Sequence, residues 1–284
     1  MRKNTTAVAD RLGILPEYRS AFLNMSMDDE SHTYTVPDVG EGLESVTTKI
    51  ARVYNKDFKA GNIKTTVQAY REGVEKYGHT KTKDGSEYFV VPCEDIDGID
   101  EVATEAVQKN LEWYGTRGTN IHTAIETHDI NGEYGSYVQA VDKWFDSHDH
   151  VGELLAHEVM IYHPTGKYAG TIDGVGVGPD GGLIIWDYKS GNKYPDHLIQ
   201  LGGYASALTA LTGMEVRRGY VCYLKDYLRP PKTGVYLGGP GMKERSTAAC
   251  QTCVVEGLGK GGKNVEVWSW ILGLDDWKRS KPWE

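Results

Sequence analysis

The stretch from Glu158 to Lys189 constrains this chain more than any other. It reads as three short apolar strands in a meander, with Glu158, Asp173 and Asp187 set among them and Lys189 two residues beyond the last. Side chains alternate faces along a strand, so Asp187 and Lys189 point the same way and Tyr188 points opposite. The run Leu183-Ile184-Ile185-Trp186 just before them marks the strand as buried. A carboxylate and an ammonium are then fixed side by side inside the protein. Buried charge is costly unless it is paired or binds a metal. The Asp187-Tyr188-Lys189 triplet is therefore a candidate site for a divalent cation and a phosphate.

At 284 residues the chain is long enough for one large domain or two small ones. No apolar run approaches the length of a bilayer span, and the basic N-terminus lacks the apolar stretch of a secretory signal. No membrane partner is expected. Four cysteines do not make a disulfide scaffold, and a reducing cytoplasm, bacterial or phage-infected, fits best. The formal charge of -9 argues against a protein that coats DNA non-specifically, though not against a local basic groove.

The pattern predicts a strand or hairpin at 32–37 and a helix from about Ser45 with a hydroxyl cap. A helix at 64–77, a turn at KTKDGSE and a strand at YFVVP follow. Residues 100–129 read as one or two helices, and 135–147 as another. The strand-rich segment comes next, then a helix at 195–212 and a strand at 216–224. Residues 226–262 read as a long irregular Gly/Pro-rich insertion, basic through residues such as Lys225, Arg229 and Lys232. NVEVWSWI reads as a last strand. The expected division is an N-terminal region, 1–112, packing on a core, 113–284.

Hydrolysis of a phosphodiester needs an activated water and a stabilised leaving oxygen. A Mg²⁺ or Mn²⁺ ion on hard oxygen ligands supplies both, and a lysine can orient the water or neutralise the phosphate. Asp187 reads as a metal ligand and Lys189 as the catalytic cation. A meander lets Asp173 approach Asp187 across the sheet. The bland alternative is a strand-end ion pair, with Asp173 a turn residue before Gly174. His122 and Glu126 share a helical face, and imidazole suits a transition-type metal; the alternative is a half-buried histidine bonded to Glu126. Gly115 and Gly118 at a helix start, with Arg117 nearby, suggest a phosphate seat. Gln200 and Tyr204 share a face of the next helix, where Leu201, Ala205, Leu208 and Leu211 make the core stripe. They would bind a nucleic-acid phosphate or support Lys189, or form a solvated polar face. Gly202 and Gly203 in mid-helix point to close packing or a nearby ligand backbone. Trp268, Trp270, Trp277 and Trp283 could stack on bases, though such residues more often close a core.

The order His122, Glu158, Gly170-Thr171-Ile172-Asp173, Asp187-Tyr188-Lys189 and Gln200-x-x-x-Tyr204 resembles the PD-(D/E)XK nuclease superfamily, and its RecB-type exonuclease branch in particular. Phage exonucleases, mitochondrial exonucleases and CRISPR adaptation nucleases are relatives there. The resemblance covers roughly 115–225, and 30–60 loosely. It implies that His122, Asp173, Asp187 and the backbone carbonyl of Tyr188 bind the metal. Lys189 would be catalytic, with Asp187, Asp173 and, in a more variable part, Glu158. Gln200 and Tyr204 would support the site or contact DNA. Some members hold a [4Fe–4S] cluster; here Cys93, Cys222, Cys250 and Cys253 lack the usual compact C-terminal trio, which disfavours one.

The expected fold is α/β, a restriction-endonuclease-like core with a central mixed sheet flanked by helices and the site at one sheet edge. The expected activity is metal-dependent cleavage of DNA, single-stranded or with free ends, as an exonuclease leaving a 5′-phosphate and a 3′-hydroxyl. Recombination, repair or DNA processing would be the setting, with a recombination or replication protein as a partner. A structure-specific endonuclease on the same fold, and a non-catalytic DNA-binding or adaptor protein, are the alternatives.

Overall fold

A computed structural model describes residues 4–28, 30–53, 69, 72, 75–76, 79–83, 86–90, 96–146, 152–190, 194–225, 249–255 and 266–272. They fall into two compact units, one of residues 1–55, 124–225 and 248–284, the other of 56–123 and 226–247. This departs from a division at 112/113. The first fifty-odd residues belong to the sheet-bearing unit because they pack into its core.

The first unit is α/β. Its main sheet has five strands: β6 (Glu153–Tyr162), β7 (Ala169–Val177), β8 (Leu183–Lys189), β9 (Val216–Lys225) and β10 (Ala249–Val255), in the spatial order β10-β9-β8-β7-β6. The first three form the expected antiparallel meander. β8 and β9 run parallel, which demands a crossover, and α6 (Asp196–Thr212) supplies it. Leu201, Ala205, Leu208 and Leu211 on α6 are fully buried, as its apolar stripe predicts. They join Leu183 and Ile185 of β8 and Val221 and Tyr223 of β9 in the main core. The opposite sheet face is aromatic. There Trp186 stacks on Trp144 and Phe145 of α5 (Gly135–Asp146), and Trp144 also meets Tyr220. The sheet is thus mixed and covered by helices on both faces.

Elements near the N-terminus complete this unit. α1 (Thr6–Leu12) starts at Thr5, whose hydroxyl accepts from the Val8 amide, and ends at Gly13 in the left-handed conformation. α2 (Pro16–Asn24) opens on proline, which suits a first helical turn. A three-stranded antiparallel sheet follows, β1 (Ser26–Asp28), β2 (Thr33–Val36) and β3 (Gly40–Glu44). α3 (Val46–Val53) has the expected hydroxyl cap, since Ser45 Oγ accepts from the Thr48 amide. Asn4 clamps the outer strand β6: its Nδ2 donates to the Met160 carbonyl and its Oδ1 accepts from the Met160 amide.

Two strand expectations fail. Residues 266–272, inside the predicted last strand, form a helix, α7. Trp268 is buried there against Tyr168, while Trp270 is 61% exposed; core closure at Trp268 outweighs the strand propensity of the local sequence. The stretch 226–262 is not irregular throughout, because β10 lies in it and pairs antiparallel with β9. The basic residues of that stretch lie outside the described residues, as do Trp277 and Trp283.

The second unit contains the hairpin β4 (His79–Lys83) and β5 (Ser86–Val90), paired antiparallel across the KTKDGSE turn. Of the helix predicted at 64–77, only 69, 72, 75 and 76 are described, and they are helical; the rest lies outside the described residues. Ala69 packs with Ala103 and Ala106. The expected one or two helices at 100–129 are one, α4 (Ile96–Glu126), whose last turn from Ala124 is assigned to the first unit.

Candidate metal centre

The site is built at the end of the meander. Asp187 and Lys189 lie on β8, the central strand, and Asp173 on its neighbour β7, so these three are inside the sheet, while Glu158 lies on the edge strand β6. The reason is charge: carboxylates that must be held rigidly need neighbours on every side. Asp173 is 6% and Asp187 2% exposed. Asp173 sits inside β7 rather than in a turn, and its Oδ2 accepts from the Tyr188 amide at 2.6 Å. That bond ties the two acidic strands together at one point. Gly174, next to Asp173, makes room for the pair: a Cβ there would lie 2.0 Å from Cε2 of Trp186, whose ring crosses it.

Asp187 is gripped on both oxygens. Its Oδ1 accepts from Gln200 Nε2 at 3.1 Å, and its Oδ2 pairs with Lys189 Nζ. Gln200 Nε2 also donates to the Tyr204 hydroxyl at 2.8 Å. Both Gln200 and Tyr204 are buried, so they form a supporting bracket and not a solvated polar face. Trp186 Nε1 donates to the Tyr188 hydroxyl on the other side of the strand, as the alternation requires. Gly203 is explained by packing: a Cβ there would meet Val46 at 2.9 Å and Trp268 at 3.0 Å, and its carbonyl accepts from the Tyr168 hydroxyl.

Electrostatics keep these groups in defined states. Burial pulls the Lys189 ammonium down, but Asp187, with Asp173 and Asp196, outweighs it and holds the pKa above its ordinary value. Lys189 is therefore a cation at neutral pH. Burial first, then the Asp187 charge, pushes the Tyr204 phenol well above its usual range. It stays neutral, which matches its role as acceptor from Gln200.

In the first unit Glu158 and Asp173 each offer one ligand atom, within 4.8 Å of each other; His122 lies on α4 in the second unit. Donors around one cation at about 2.0–2.2 Å lie up to roughly 4.4 Å apart, so a small side-chain adjustment closes the set. Two carboxylates present the hard oxygens that both Mg²⁺ and Mn²⁺ take. The residues present thus fit a divalent cation. Glu158 enters this group and Asp187 does not, a distribution that the spacing of the motifs does not reveal. Glu158 lies on β6 with φ of 49°, between His157 and Val159, which face Gly174 and Ile172. That register sets it opposite Asp173. The left-handed kink is a tertiary feature with no local sequence signal.

The remaining predicted residues are placed as follows. Glu126 is exposed in the last turn of α4. Gly115 and Gly118 lie in the middle of α4, so there is no helix N-terminus at Arg117 and no phosphate seat of that kind. Arg117 is buried, with its guanidinium 5.6 Å above the Trp113 ring. Cys222 is a buried free thiol on β9, and Cys250 and Cys253 lie on β10. An extended strand sets residues three apart at about 10 Å, wider than a turn-borne pair. Cys93 lies outside the described residues. Asp196, buried at 5%, was not singled out by the sequence, although its spacing of four before Gln200 carries the signal.

No family model matches the sequence, and no curated protein does. Among solved structures, the crystal structure of SSO0001 aligns over 81% of this chain and 84% of its own, at 13% identity and a TM-score of 0.26. A likeness that low carries no argument about fold or function. No helix among the described residues is long and apolar enough to cross a membrane.

Proposed function

We propose that this protein is a metal-dependent deoxyribonuclease that hydrolyses phosphodiester bonds at DNA ends or in single strands. The observation that carries the reading is the juxtaposition of a carboxylate pair, Glu158 and Asp173, with a half-buried, charged Lys189 held by Asp187. Asp173 belongs to both sets through its bond to the Tyr188 amide. A divalent cation in this group would act as a Lewis acid on a phosphoryl oxygen. The chain's own residues do the rest. Lys189 offers a fixed positive charge to the scissile phosphate or its attacking water. Asp187 keeps that ammonium in place, and Gln200 and Tyr204 keep Asp187 in place. Three acidic groups, Asp187, Asp173 and Asp196, act on one lysine, so negative charge outweighs positive there and favours a cation. The exonuclease form follows the family resemblance and not the geometry. Whether the group in action uses Asp187 as a further ligand, with the Tyr188 carbonyl, belongs to the same proposal.

The test uses end-labelled single- and double-stranded DNA with Mn²⁺, Mg²⁺ or EDTA. Wild type is expected to degrade DNA with Mn²⁺ and not with EDTA, and Lys189→Ala to lose about 10²–10⁴ in kcat. Closed circular single strands should survive an exonuclease and be cut by an endonuclease. Equal degradation by wild type and Lys189→Ala would remove Lys189 from the chemistry. Tight DNA binding without cleavage under any metal would favour an adaptor.

A further inference from the structure

One buried charge next to this site has so far entered only as part of the field on Lys189. Asp196 is 5% exposed in the first turn of α6, directly after Pro195, which already has helical angles. A carboxylate suits a helix N-terminus, where the dipole and free amides favour negative charge. The dipole rewards an exposed carboxylate as well, so it leaves the burial unexplained. Asp196, Gln200 and Tyr204 follow one another at i, i+4 and i+8, which places them on one helical face. The direction of that face is known from two of its members. Gln200 donates to Asp187 and to Tyr204, so the face looks onto the Asp187–Lys189 end of β8. His197, the next residue, turns elsewhere, with its Nδ1 3.1 Å from the Tyr223 hydroxyl.

We propose that Asp196 is a positioning residue for Lys189, holding from the helix the ammonium that Asp187 holds from the strand. The proposal rests on Lys189 as the group that meets the phosphate. A lysine is a compact charge on a flexible four-carbon stem. One carboxylate two residues away on its own strand leaves that stem free to swing. A second carboxylate, on a different element, removes the freedom and fixes where the charge sits. In keeping with this, burial acts against the Lys189 charge, and Asp196 stands with Asp187 and Asp173 among the groups that outweigh it. The arrangement also predicts a division of labour. Asp173 faces the cation group, Asp187 is shared with Gln200, and Asp196 serves the lysine.

The experiment compares wild type, Asp196→Asn, Asp196→Glu and, as a control, Asp187→Asn, all as the full chain. Each is acylated at one pH with a small amine-reactive ester, and Lys189 labelling is read by peptide mass spectrometry, with the buried Lys49 as internal reference. Asp196→Asn is expected to raise Lys189 labelling about fivefold, the effect of losing roughly one favourable contact, while Lys49 and the melting temperature stay near wild type. Asp196→Glu should restore most of the protection. In the DNA assay, Asp196→Asn should lower kcat about tenfold with KM for DNA unchanged, as misplacement of a bound group does. Wild-type labelling of Lys189 in Asp196→Asn overturns the proposal. So does a rise at Lys189 and Lys49 together with a lower melting temperature, which marks general loosening. If wild type cuts no DNA while Lys189 labelling responds as expected, the nuclease reading fails and the positioning role stands.

Discussion

Glu158 holds a backbone conformation that costs a residue with a side chain about 1–2 kcal/mol. Its neighbours in β6 keep their register with β7, so the strain is local and re-aims one carboxylate toward Asp173. Strain of this sort persists where the surroundings over-determine it, and it concentrates at functional sites. Two substitutions separate backbone from charge. Glu158→Ala removes the carboxylate and keeps the strain, while Glu158→Gly removes both. Glu158→Gly is expected to be more stable than Glu158→Ala by about 1 kcal/mol, measured by urea titration. Both should lose Mn²⁺ affinity, read by calorimetry. A Glu158→Gly protein less stable than Glu158→Ala would show that the kink carries no strain.

At the scale of elements, β7 and β8 work as one rigid plate. Trp186 lies across Gly174 on the face opposite Asp173 and Asp187, and α5 closes over it with Trp144 and Phe145. Meanwhile the Tyr188 amide is bonded to the Asp173 carboxylate. A shift on the aromatic face is therefore passed directly to the carboxylates. Gly174→Ala must push the indole or spread the strands, because its Cβ would overlap the ring. Overpacking of this kind costs about 1–3 kcal/mol. The expected outcome is that loss of stability by denaturant titration, together with weaker Mn²⁺ binding. Unchanged Mn²⁺ affinity in the face of that destabilisation would show that the two faces are uncoupled.

For the whole molecule, the proposed cation site predicts that stability depends on Mn²⁺. Asp173 and Asp187 are buried, Glu158 faces Asp173, and Lys189 alone among these residues opposes them. A ligand that binds only the folded state stabilises it by about 2.7 kcal/mol at a hundredfold excess over Kd. Mn²⁺ is thus expected to raise the melting temperature by several degrees, and EDTA to reverse it. Asp173→Asn keeps an oxygen to accept from the Tyr188 amide while removing the charge, so it should fold and lose the Mn²⁺ response. An identical metal response in Asp173→Asn and wild type would place the cation elsewhere.

The sequence by itself determined the meander, the helix α6 with its apolar stripe, the strand β9 that follows it and the side-by-side placing of Asp187 and Lys189, since periods of 2 and 3.6 residues are written locally in the order of apolar and polar side chains; that β9 runs parallel to β8 was decided by the tertiary structure. The sequence also carried the Gln200–Tyr204 pair, because a spacing of four decides a helical face. Only the tertiary structure decided which carboxylates lie together. Glu158 meets Asp173 through a left-handed kink and a register across strands, while Asp187 turns to Lys189 and Gln200. The same holds for α7, where burial of Trp268 against Tyr168 overrode the strand pattern, and for Asn4, which caps Met160 across 156 residues of chain. Such contacts join positions far apart in the chain, so no window of neighbouring residues contains the information that sets them.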